Sequence, residues 1–159
     1  MSQFGHLAKL DVSEDVTVAY EFINIPGNPC LKVLPATESN KKYFNIVLKN
    51  SSKKRRHLKT ANADLIASHR EDDKALYPKY IIKDWSNVMD EKGKMVDYTE
   101  EAVQDFLECL PNHFFDELRE FCSDVSNFTK EAIEQDEELI KNSAPVLPGS
   151  TKLKKKAGQ

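Results

Sequence analysis

Apolar and polar side chains alternate from Val16 to Phe22, which puts Val16, Val18, Tyr20 and Phe22 on one face of an extended segment. Ile25-Pro26-Gly27-Asn28-Pro29 then supplies strong turn chemistry, and Cys30 to Leu34 reads as the returning strand. Residues 16–34 are therefore expected to form a β-hairpin, by itself or as part of a small sheet. Because a lone hairpin is marginal in water, helices have to back it.

The period changes to that of a helix after residue 38. Thr37 is placed to cap, and Tyr43, Phe44, Val47 and Leu48 share a stripe. Asn50-Ser51-Ser52 either continues or breaks this helix. A second helix is expected from Asn62, with Leu65, Ile66, His69, Asp73 and Leu76 loosely periodic and Pro78 bending or ending it. Val103, Phe106, Leu107 and Leu110 follow the i, i+3, i+4, i+7 rule over residues 100–110. Pro111 opens a further helix striped with Phe114, Phe115, Leu118, Phe121, Cys122 and Val125. Thr129 caps a last one, 130–141, whose apolar stripe of Ala132, Ile133, Leu139 and Ile140 is thin among five acids. This order predicts an α+β, mostly helical fold: an N-terminal β-hairpin packed on a bundle of about five helices. Residues 1–15 read as an N-terminal arm, 16–142 as a single domain with helices over 38–142, and 143–159 as a flexible basic tail.

The stretch from Tyr80 to Cys109 organises the rest. Ile81, Ile82 and Trp85 complete one element, and Asp90-Glu91-Lys92-Gly93 reverses the chain. In that turn the Asp90 carboxylate bonds the backbone two residues on, and Gly93 takes the left-handed conformation. Thr99 caps the next helix, and Glu100 and Glu101 favour its positive end. Trp85, the only tryptophan, is expected in the core rather than on a stacking platform. Ile81, Ile82, Asp84, Trp85, Val88, Asp90, Glu91, Gly93, Val96, Tyr98, Thr99, Glu100 and Glu101 together resemble the tail assembly chaperones of long-tailed bacteriophages. The resemblance covers mainly residues 62–125, with a looser match over 16–50. It implies a non-enzymatic protein of the host cell cytoplasm that binds the tape measure protein, helps to recruit tail tube subunits and then leaves the particle. Self-association is a further expectation, and many members also occur in a longer, frameshifted form.

Composition narrows the chemistry. With 31% charged residues and a net charge of -3, the balance matters less than its distribution. Eight Lys or Arg and no acid lie between Asn40 and Ala63, whereas thirteen acids face only Arg119 and Lys130 between Glu100 and Glu138. Lys53, Lys54, Arg55 and Arg56 form a basic cluster with no aromatic interleaved, so a solvated helix face or an electrostatic contact with an acidic protein is expected over nucleic acid. Three cysteines without a CxxC pair read as reduced thiols. Cys109, His113 and Cys122 match no metal spacing, and neither metal nor cofactor is expected. No apolar run reaches the length of a membrane span. The nucleotide-loop, Ser-hydrolase and zinc-protease motifs are missing, which argues against an enzyme. Partner binding is assigned to Phe106, Phe114, Phe115 and Phe121, as a groove for an amphipathic helix that the acidic last helix shields. A neck or tail-end protein kept in the virion, and a small nucleic-acid-binding regulator, are the alternatives.

Overall fold

A computed structural model describes residues 2–13, 15–57 and 63–142. In chain order these form a 3-10 helix (Gly5–Leu10), β1 (Val18–Glu21), β2 (Cys30–Val33), α1 (Lys41–His57), α2 (Ala63–Tyr80), β3 (Ile82–Ser86), α3 (Glu100–Cys109), α4 (Asn112–Ser123), a second 3-10 helix (Val125–Phe128) and α5 (Lys130–Asn142). The fold is α+β and mostly helical, as the element order predicts. The tail, 143–159, lies outside the described residues.

The hairpin forms around its predicted turn. Asn28 N–H donates to the Ile25 carbonyl at 3.0 Å, with Pro26 first in the bend and Gly27 at φ +87° second, the arrangement of a type II turn. The positive φ is what requires Gly27; an added Cβ would also displace the flexible end of Met89. The strand proper starts at Val18, and Val16 stays exposed before it. The hairpin is part of a three-stranded antiparallel sheet in the order β1-β2-β3, with Leu31 opposite both Tyr20 and Trp85. Leu31 and Val33 of the central strand point into the core with no exposed surface, and Lys32 points to solvent.

α1 starts three residues later than the sequence suggests, and Asn40 caps it in place of Thr37. Asn40 Oδ1 accepts from the Tyr43 N–H at 3.4 Å, while its Nδ2 donates to the Tyr80 carbonyl at 3.0 Å. One side chain thus caps α1 and ties it to the end of α2, whereas the Thr37 hydroxyl pairs with Ser39. The helix passes through Asn50-Ser51-Ser52 without a break. Pro78 falls in the last turn of α2, which ends two residues later; Ile81 and Ile82 follow at once and are both fully buried.

The acidic turn forms as its chemistry requires. Asp90 Oδ1 accepts from the N–H groups of Lys92 and Lys94, each at 2.9 Å, and Gly93 has φ +77°. Its two arms meet where Val96 N–H bonds the Val88 carbonyl. Thr99 caps α3 through the Ala102 N–H, and Thr129 caps α5 through that of Ala132. Trp85 is buried at one edge of the core, its indole N–H donating to the Val96 carbonyl at 2.9 Å. Pro111 occupies the capping position of α4 and not its first turn, since Asn112 is the first helical residue.

The second 3-10 helix was not predicted, and it carries a core residue. Asp124 caps it through the Ser126 N–H, and Phe128 at its end is fully buried. It also anchors the N-terminal arm: Ser13 N–H bonds the Phe128 carbonyl, Val12 bridges to Thr129, and Lys130 N–H bonds the Asp11 carbonyl. α5 packs mainly on the two 3-10 helices, and its residues 134–139 are exposed. Among the described residues, no helix is long and apolar enough to cross a membrane.

Candidate partner-binding surface

The apolar stripes of α3 and α4 each split into a buried and a half-buried row. Val103, Leu107, Leu110, Phe115, Leu118 and Cys122 belong to the core. Phe106, Phe114 and Phe121 lie only partly buried beside it. Of the four aromatics assigned to partner binding, the structure brings Phe114 and Phe121 to one groove, places Phe106 in a separate depression beside Trp85 and Val96, and withdraws Phe115. Its exposure is 0%, its ring packs edge-on against Tyr77 at 5.3 Å, and the Arg119 guanidinium stands 5.9 Å above it. Phe115 is a core residue and offers no surface to a partner.

Phe106, Phe114 and Phe121 do not leave an empty groove between them. The first strand fills it. Phe22 packs on Phe106 at 6.1 Å and on Phe114 at 6.3 Å, and Tyr20 lies 5.0 Å from both Phe22 and Phe121. Further ring contacts extend the band to Trp85 and Tyr98 at one end and to Phe128 at the other. The cover expected from the acidic last helix is therefore supplied by β1, because Tyr20 and Phe22 occupy the face that α3 and α4 leave open. The alternation of Tyr20 and Phe22 was visible in the sequence; that they would meet Phe114 and Phe121, about a hundred residues later, was not.

What remains open is a shallower groove along the outer side of the band, with a volume of about 530 Å³. β1 and the residues after it form one wall with Tyr20, Glu21, Phe22, Ile23 and Asn24. α4 and its C-cap form the other with Phe114, Glu117, Glu120, Phe121 and Asp124. Phe114, Glu117 and Phe121 recur at i, i+3 and i+7 and so share one helix face, and Asp124 follows at its end. Four carboxylates rim an apolar floor, and no Lys or Arg lines it. Burial and the negative charges of Glu117 and Glu120 hold the Tyr20 phenol above its usual pKa. Ile23 is 74% exposed at the lip.

Behind the groove, polar side chains fix α4 against α1 and α2. Asp73 is 8% exposed, accepts from the Tyr43 hydroxyl at 2.7 Å and is ion-paired to Arg119 Nε at 2.7 Å. Arg119 also approaches Asp116 at 3.4 Å, and Arg70 grips Asp116 with two parallel bonds of 2.9 and 2.8 Å. Burial and the adjacent Asp73 push the Tyr43 phenol well up, and burial does the same to the Cys122 thiol.

The Arg70 bonds hold the Asp116 carboxyl below its ordinary value of 3.8. A carboxylate with a depressed folded-state pKa adds stability above its unfolded pKa, and that contribution is lost as pH falls through the folded value. Asp116→Asn is therefore expected to be less stable than the parent at pH 7, with the gap closing as pH falls from the unfolded value of about 3.9 through the lower folded one. Urea midpoints of both proteins across that range check it, and a gap independent of pH would refute the assignment.

Lys53 is exposed on α1, an element that does not line the groove. The side chains of Lys54, Arg55 and Arg56 lie outside the described residues. Cys109 is exposed whereas Cys122 is fully buried, and no group of metal-ligating side chains converges among the described residues.

The family model for the YdaY prophage protein matches residues 39–141, from just before α1 to the last turn of α5. No curated protein and no solved structure matches the chain.

Proposed function

The chain belongs to the YdaY prophage protein family and is phage-derived, and from that premise we propose that it is a non-enzymatic assembly chaperone of a phage tail. In this reading it binds the tape measure protein in the host cytoplasm, helps to recruit tail tube subunits and is absent from the finished particle. One observation carries the reading: Tyr20, Phe114 and Phe121, mounted on β1 and α4, stay half-open to solvent inside a rim of carboxylates. Exposed apolar surface within a polar rim is the usual mark of a protein interface. The resemblance of residues 62–125 to tail assembly chaperones supports the choice of the tape measure protein as partner.

Co-expression of the tagged chain with the tape measure and tube proteins encoded beside it tests this. Capture of the tape measure protein is expected, with loss of most of it in Ile23→Asp, a change at an exposed position that leaves the core alone. Mass spectrometry of purified particles is expected to find the chain absent. A folded chain that retains neither protein would sink the proposal, and a chain kept in the particle would make it a structural component.

A further inference from the structure

The groove has one wall that is a sheet edge. Phe22 N–H donates to the Pro29 carbonyl at 2.8 Å, which sets the phase of the β1–β2 ladder. Antiparallel pairing alternates, so Val18 and Tyr20 also turn their backbone groups toward β2. Ala19 and Glu21 then turn theirs away from the sheet, toward the side where β1 has no neighbouring strand among the described residues. Both residues are exposed. An edge of unpaired N–H and C=O groups is a template for another strand.

Facing that edge, α4 presents Phe114, Glu117 and Phe121 over a length of about 10 Å at 1.5 Å per residue, and Asp124 follows at its C-cap. An extended chain advances about 3.4 Å per residue, so the groove takes three to four residues of a strand. With Glu21 and Glu120 added, the rim holds four acids and no base. The segment that complements it alternates apolar side chains, laid on Phe114 and Phe121, with lysines or arginines set against the carboxylates.

We propose that the groove between the free edge of β1 and α4 accepts an extended, basic and apolar segment of a partner protein as a fourth strand of the sheet. This rests on the partner-binding reading above and specifies how the partner is held. Backbone hydrogen bonds to Ala19 and Glu21 supply the register, and the acids of α4 select the charge.

A fluorescent octapeptide of alternating valine and lysine is the probe, read by anisotropy on the full chain. Expected results are binding that weakens as salt rises and at least a tenfold loss in Glu117→Lys/Glu120→Lys, both exposed positions. N-methylation of alternate peptide nitrogens should abolish binding in one phase and spare it in the other. Ala19→Pro, which removes an outward N–H but no bond to β2, should match the harmful phase. Binding indifferent to both methylation phases would mean the occupant is not a strand, and no binding, or a chain already dimeric with its β1 amides protected, would equally overturn the proposal. Capture of the tape measure protein that survives Ala19→Pro and the charge reversals defeats the strand proposal and leaves the chaperone reading standing. Peptide binding with no capture does the reverse.

Discussion

Phe115→Ala is expected to cost about 3–5 kcal/mol, the range for removing a fully buried phenylalanine. Its ring has no exposed surface, fits against Tyr77 at 5.3 Å and carries the Arg119 guanidinium above it. Truncation opens a cavity between α2 and α4 and loosens the arginine that holds Asp73. Against a total stability of about 5–15 kcal/mol, that is a large share. Phe114→Ala is the control. Phe114 is next in sequence but only partly buried, and its loss should cost less than half as much. Urea unfolding of the two variants decides the matter, and equal costs would return Phe115 to the surface. The comparison also guards the capture experiment, since a Phe115 variant that fails to bind would report on folding and not on an interface.

That contrast shows where the sequence was legible. Two adjacent phenylalanines look alike in the linear chain, yet they stand about 100° apart around a helix. Which one faces inward depends on what packs against α4, and Tyr77 and Phe22 come from elsewhere. Features written in local chemistry were read correctly, among them the Asp90–Gly93 turn, the Thr99 and Thr129 caps and the amphipathic stripe of α3. Features decided by distant residues were not. Asn40 caps α1 because it also reaches Tyr80. Phe128 is buried by a four-residue 3-10 helix too short to show a period. In α2 the expected stripe included both Ile66 and Asp73; Ile66 is 60% exposed, whereas Asp73 is buried and so is Tyr77, which the stripe left out. What holds the aspartate there was not legible, because its partner Arg119 lies 46 residues away. For the site, spacing supplied Phe106, Phe114 and Phe121, and the strand pattern supplied Tyr20 and Phe22. Their union, and the acids that rim it, required the fold.

The buried ion pair that disguised α2 makes the second large effect. Arg119→Met is expected to cost about 3–5 kcal/mol at pH 7, because it leaves the Asp73 carboxylate largely out of water with the Tyr43 hydroxyl as its remaining hydrogen-bond partner among the described residues. Asp73→Leu in the same chain should recover much of the loss, since a buried pair replaced by apolar groups of similar size is often nearly neutral. The second substitution separates a charge effect from lost packing. Urea unfolding at pH 7 should show Asp73→Leu restoring much of the deficit of Arg119→Met, while the same change added to Phe115→Ala, an apolar loss, restores nothing. A deficit of Arg119→Met that survives Asp73→Leu would mean that Arg119 acts through its contact with the Phe115 ring, and that the pair contributes orientation to the groove wall but little stability.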